Sequence, residues 1–438
     1  MISPQRRREI IDALRRGTVP QRGLDAFAVG TERYAAAFDD ELAAVATGGA
    51  GFKAIRGEYG SGKSFTIRWV AERARQQGFA TAEVQISEGE TPLHHLETVY
   101  RRLCERLGTA DTPTGALRTV VNSWFFALHD DVLSAGSVDP NDGSAVAAAT
   151  AELAEKRLGP LAAQAPALAA VLRGYRHALA EGDAARAEGL LAWLGGQPHV
   201  AASVKRSAGI RGDLDHDGAL AFLAGLLTIL RGAGYAGLVL VLDEVETLQR
   251  VRSDARDRAL NALRQLIDEV DQGRFPGLYL VITGTPAFFD GPQGAPRLAP
   301  LAQRLHTDFT TDARFDNPRA VQLRLPGFDV AGLEAVGRRV RDLYRDGAAD
   351  ADRITDLCDD AYIAVLARAV TGDLGGKVGI APRVFLKKLV GDVLDRIDQF
   401  PDFDPRRDYS LTITDTELTD VERNARAASS VDEVELDV

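Results

Sequence analysis

Gly57-Glu58-Tyr59-Gly60-Ser61-Gly62-Lys63-Ser64 follows an apolar run, Gly51-Phe52-Lys53-Ala54-Ile55-Arg56, and precedes a helix-like stretch over residues 65–77 that stops at Gly78. Strand, glycine loop and helix in that order are the context in which G-x-x-x-x-G-K-S makes a phosphate-binding loop. Glycines let backbone N–H groups curl around phosphate oxygens, and the helix points its positive end at the same anion. Lys63 is placed to reach the β- and γ-phosphates, and the Ser64 hydroxyl to ligate Mg²⁺. Residues 57–64, with Phe65 after them, are the candidate ATP contacts.

A second half of such a site is legible in Leu238-Val239-Leu240-Val241-Leu242-Asp243-Glu244. Five apolar residues without polar alternation suit a central parallel strand buried on both faces. The two carboxylates then fall at its carboxyl end, where open α/β sheets bind ligands. Asp243 is the candidate for the Mg²⁺ shell, and Glu244 for the base that orients and deprotonates an attacking water. A further apolar strand over 277–282 runs into Thr283-Gly284-Thr285-Pro286. Thr285 and Thr283 are both candidates for a polar group that contacts the γ-phosphate and places the water.

The 438 residues suggest two to three domains, and 45% hydrophobic with 26% charged residues describe a globular chain with ample core. No stretch approaches the roughly 18 apolar residues of a membrane span. Arg6-Arg7-Arg8 is not followed by an apolar export segment, so a cytoplasmic location is expected. Cys104 and Cys358 have no metal or disulfide spacing and read as small buried hydrophobes of a reducing compartment. A formal charge of −11 argues against bulk polyanion binding, although a local basic face could still contact DNA.

Ser3-Pro4 caps a basic helix through residue 16, and a second helix is expected over 32–45. Alternating Ala82, Val84 and Ile86 predict a strand over 81–87. Thr91-Pro92 is then expected to cap a helix carrying Leu93, Leu96, Tyr100, Leu103 and Leu107. The alanine-rich stretch 109–236 is read as a helical insertion, with breaks at 136–143, 159–160, 182–183 and 195–198 and a basic spot at Lys205-Arg206 and Arg211. A helix over 254–271 and a strand over 320–325 follow, and the chain is helical again over 329–400. The organisation expected is an amino-terminal segment plus the first half of an ATPase core (1–108), the insertion (109–236), the second half of the core (237–326), a helical lid (327–400) and an acidic tail (401–438). The tail, with Asp432, Glu433, Glu435 and Asp437, is read as disordered or partner-docking.

Phosphate loop, long helical segment, Asp-Glu strand, Thr-ended strand and helical lid, in that order, resemble an AAA+ type ATPase of the initiator-like branch, the relatives of origin-recognition proteins. The resemblance implies an α/β P-loop NTPase core with a parallel sheet, a large helical insertion and a C-terminal helical lid. Gly379-Ile380-Ala381-Pro382-Arg383 looks like the sensor-2 motif of that class, which implies that Arg383 reaches the γ-phosphate. An arginine donated to a neighbouring subunit's nucleotide is sought among Arg304, Arg314 and Arg319, with Arg304 in Leu301-Ala302-Gln303-Arg304-Leu305 preferred; such a residue implies a homo-oligomer. Origin-recognition proteins carry a winged-helix domain after the lid, whereas about 40 residues follow Phe400 here. More specifically, the chain is similar to the BrxD-like ATP-binding proteins of bacterial BREX phage-defence clusters. The residues carrying this are Arg15-Arg16-Gly17-Thr18-Val19-Pro20-Gln21-Arg22-Gly23-Leu24, Arg56 through Lys63, Ala82-Glu83-Val84-Gln85-Ile86-Ser87 and Leu242-Asp243-Glu244-Val245-Glu246. The resemblance implies an ATPase acting beside other defence proteins, a helicase among them in some clusters.

Three functions are compatible with this reading. One is a Mg²⁺-ATP hydrolysing switch that remodels a defence complex, with adenine near Val19-Pro20 and Gly23-Leu24. Another is an ATP-gated interaction scaffold with little turnover. The third is a DNA-loading ATPase, whose DNA affinity would fall steeply with salt.

Overall fold

Five strands, β1 (Gly51–Arg56), β2 (Ala80–Gln85), β3 (Leu238–Asp243), β4 (Leu278–Gly284) and β5 (Gln322–Arg324), are ordered β2-β3-β4-β1-β5 in the computed structural model. The structure describes residues 2–373, 382–418 and 423. Pairing is parallel between β2 and β3 and between β3 and β4, with Gln85 in register with Asp243 and Leu242 with Ile282. Every residue of β3 and β4 is buried, which is why neither shows polar alternation. The strand that carries the threonine therefore separates, in sheet order, the strand that feeds the glycine loop from the strand that ends in Asp243.

The chain divides into two compact units, each discontinuous in sequence. One comprises residues 39–54 and 73–307. Its core is a single hydrophobic cluster joining Ala82, Leu240 and Leu280 of the sheet to Trp124, Leu172, Leu190 and Leu226 of the helical stretch. Phe222 is the junction, met edge-on by Tyr100 at 5.8 Å and Trp193 at 5.5 Å. Helices expected as an insertion thus share the sheet's own core.

Two local expectations fail here. Helix Gly143–Gln164 runs straight through Pro160 instead of breaking at 159–160. Buried Ala154, Leu158 and Leu161 flank the proline and hold the helix together despite the missing backbone donor. The helix expected at Thr91-Pro92 begins only at Leu96, because Ser87 Oγ accepts from the backbone N–H groups of Glu90 and Thr91 and folds this stretch into a turn.

Within this unit Lys53 of β1 is 2% exposed, and its Nζ lies 2.6 Å from Glu41 Oε1. The Tyr279 hydroxyl donates to the other oxygen of Glu41. Burial, reinforced by Glu41, pushes that phenol well above its ordinary range. Replacing Glu41 takes an anionic partner from a lysine that is 2% exposed and the acceptor from a buried phenol. Glu41→Leu is expected to cost about 3 kcal/mol in chemical denaturation, and adding Lys53→Met should recover most of the loss. Equal stability of Glu41→Leu and the unaltered chain would contradict this account of the pair.

The other unit comprises residues 1–38, 55–72 and 308–438. Helix Pro4–Arg15 starts as its sequence predicts, with Ser3 Oγ accepting from Arg6 N at 3.2 Å. Its arginines reach later parts of the unit: Arg7 donates to the Asp346 carbonyl at 2.7 Å, and Arg15 to Asp395 at 2.8 Å. The Tyr344 hydroxyl donates to the same Asp395 carboxylate at 2.8 Å. Helices Val330–Arg345, Ala351–Leu357, Asp360–Asp373 and Pro382–Lys388 follow, the last running on through a π-helical turn, Leu389–Leu394. Residues 379–381 of the Pro-Arg motif and the acidic residues 432–437 lie outside the described residues. Both cysteines are buried free thiols. Among the described residues no helix is long and apolar enough to cross a membrane.

Candidate functional site

The glycine loop leaves β1 and enters helix Lys63–Gln76 through two left-handed residues, Gly60 (φ 79°) and Gly62 (φ 91°). A side chain at either would strain the turn. Gly57 is required for a different reason, since a Cβ there would lie 2.2 Å from Ser61 Oγ. Lys63 is buried, and its ammonium donates to the carbonyls of Gly57 at 2.8 Å and Glu58 at 3.3 Å, with the Tyr59 ring centroid 4.9 Å away. Ser61 Oγ is buried without a hydrogen-bond partner. Glu58, Gly60 and Ser64 are exposed. Phe65, one residue into the helix, packs edge-on against Phe27 at 5.4 Å. A loop with no Cβ at its bends, a helix N-terminus, an orphaned hydroxyl and an ammonium fits a polyphosphate.

The segment expected near adenine is tied to helix Lys63–Gln76. Glu72 accepts from the backbone N–H of Gly23 at 2.5 Å and of Leu24 at 2.9 Å, and Arg68 donates to the Val19 carbonyl at 2.9 Å. Gly23 has φ 78°, and a Cβ there would come within 2.8 Å of Ile10. Glu72 and Arg68 escaped the sequence reading because their partners lie 48 and 49 residues away.

In the other unit β3 ends on Asp243, which is 6% exposed. Thr283, fully buried on β4, donates its hydroxyl to Asp243 Oδ1 and accepts from the Glu244 backbone N–H at 3.0 Å. Glu244 adopts φ 60° and ψ 44°, a left-handed conformation that costs a non-glycine residue about 1 kcal/mol or more. Its carbonyl accepts from Thr247 Oγ1 at 2.9 Å, and its carboxylate accepts from Gln85 Nε2 at 2.9 Å. Two neighbouring strands thus hold this residue in place: Thr283 fixes its backbone and Gln85 its side chain. The Gln85 contact follows from its register with Asp243, which no local sequence pattern reveals.

Of the two threonine candidates, Thr283 reaches Asp243. Thr285 is also buried but stands at the N-terminal boundary of the short helix Pro286–Asp290, without a side-chain capping hydrogen bond. Arg304 pairs with Asp268 and donates to the Pro300 carbonyl at 2.8 Å. Arg314, whose side chain is 73% exposed, stacks over Phe315 at 4.6 Å. The Arg319 backbone N–H donates to Asn317 at 3.0 Å. Arg383 is half-buried on helix Pro382–Lys388 and donates to the Glu417 carbonyl at 2.7 Å.

Residues 2–413 match the profile of a family described as BREX system ATP-binding protein BrxC/D. The chain belongs to this BrxC/D family. No curated protein and no solved structure matches it significantly. Membership makes ATP the ligand of this BrxC/D protein and places it in the BREX system. It also accounts for the likeness of the segments around Arg15, Arg56 and Leu242 to BREX ATP-binding proteins.

Proposed function

We propose that this protein hydrolyses Mg²⁺-ATP as an AAA+-like switch in BREX defence, remodelling a protein or protein–DNA complex beside other defence proteins. The observation that carries the reading is the Asp243–Thr283–Glu244–Gln85 cluster: a carboxylate pair at a strand end, one member fixed by Thr283 and the other held in a strained conformation. A chain that only stored ATP would have no need of a constrained second carboxylate. Lys63 would stabilise charge developing on the transferred phosphoryl group, and Glu244 would take a proton from the attacking water. Ser64 and Asp243 would hold Mg²⁺, which supplies charge neutralisation at the β- and γ-phosphates. Arg383 would meet the γ-phosphate. Arg304 would serve a neighbouring copy if the protein assembles, a contribution worth roughly 10³–10⁵ in turnover where such arginines act.

Thr283→Val tests the cluster. Valine keeps the volume but leaves Asp243 without the hydroxyl donor and Glu244 N–H with only Asp243 Oδ1, at 3.1 Å. Phosphate release is expected to fall roughly tenfold or more, with a stability loss of about 1–2 kcal/mol. An unchanged rate would remove Thr283 from the mechanism.

A further inference from the structure

Residues 411–418 lie against the basic side of helix Pro382–Lys388 and engage each of its three cationic side chains. Arg383 donates to the main-chain carbonyl of Glu417 at 2.7 Å. Lys388 Nζ, buried, contacts both Glu417 carboxylate oxygens at 2.9 and 3.0 Å, and Lys387 Nζ reaches the same carboxylate at 3.3 Å. Asp392 is the other acid facing Lys388, at 3.2 Å, and Thr414 N donates to Glu417 at 3.1 Å. Ile413 and Leu418 are 5% and 6% exposed and anchor the two ends of the segment. The Arg383 and Lys387 side chains also run alongside Gly17, just past the first helix.

We infer that residues 411–418 form an autoinhibitory strap, which offers Arg383 a carbonyl in competition with the γ-phosphate and must lift before Arg383 can engage ATP. The inference rests on the proposed role of Arg383 and deepens it: the strap sets the preference for ATP over ADP. Burial works against the charge of Glu417, but the hydrogen bonds from Lys388, the Thr414 backbone N–H and Lys387, with the Lys388 charge, together outweigh it and hold the carboxyl down at about 2. A depressed carboxyl contributes stability above its unfolded value of about 4.3 that is lost only as pH falls towards 2. Across the neutral range the clamp therefore stays closed, and a competing anion rather than a proton opens it.

Glu417→Ala in the full chain removes both lysine anchors and leaves Arg383 in place. Affinity for ATP is expected to rise roughly tenfold with ADP affinity unchanged, the scale of one charge-assisted hydrogen bond. Adding Arg383→Ala should cancel the gain. On the unaltered chain, amide hydrogen exchange over 411–418 should be faster with ATP than with ADP, a readout that does not depend on any variant folding. An unchanged ATP-to-ADP preference in Glu417→Ala, a gain that survives Arg383→Ala, or identical exchange with both nucleotides would overturn the strap. Lys63→Ala separates this from the parent reading. If ATP binding needs Lys63 but ignores Glu417, only the strap fails; if binding ignores Lys63, the ATPase reading fails with it.

Discussion

Lys63→Ala is expected to weaken ATP binding by at least roughly 100-fold while leaving the fold intact. The ammonium is buried and already satisfied by the carbonyls of Gly57 and Glu58, so it exchanges neutral acceptors for charged phosphate oxygens when nucleotide binds. Hydrogen bonds to charged groups are worth about 1.5–3 kcal/mol each, and a lysine placed between two phosphates makes more than one of them. Alanine removes all of these at once. Truncation to alanine vacates the space beside the two carbonyls, which water can then fill in place of the donor, so the cost to stability is expected to be small. Equilibrium binding of ATP, with circular dichroism to confirm folding, checks this. Affinity within threefold of the unaltered chain would exclude the loop as the phosphate site.

Glu244→Gln is expected to reduce phosphate release by roughly 10²–10⁴ while ATP affinity stays within about threefold. Glutamine keeps the length of the side chain, and its carbonyl oxygen can still accept from Gln85 Nε2. The backbone hydrogen bond to Thr283 is untouched, so the strained turn survives. Only proton acceptance is lost. Gln85 engages one carboxylate oxygen of Glu244, so the side chain must offer its other oxygen, or leave Gln85, when it acts.

Local patterns carried the reading where the physics is local. β1 occupies Gly51–Arg56 and a loop turning on Gly60 and Gly62 follows it, as the apolar run and glycine spacing predict. β3 is buried at every position, as five consecutive apolar residues predict. Ser3 caps its helix, and breaks fall at Gly182-Asp183 and near Gly195 as read from their glycines. Where the outcome depends on distant partners, the sequence alone was insufficient. Thr283 and Thr285 have the same chemistry and differ only in which one comes within reach of Asp243. Gln85 acquires its role from register, Glu72 from the return of the 19–24 segment, and Glu417 from the docking of residues 411–418 on a helix 29 to 34 residues earlier. Pro160 shows the reverse case, a strong local breaker overruled by the packing on either side of it.

The central claim is that one Mg²⁺-ATP is held by Lys63 and hydrolysed through Glu244. Its most direct test is equilibrium ATP binding and phosphate release measured on the same samples of the unaltered protein, Lys63→Ala and Glu244→Gln. The account predicts binding and turnover in the first, neither in the second, and binding without turnover in the third. ATP bound at full affinity by Lys63→Ala, or turned over at the unaltered rate by Glu244→Gln, would contradict it.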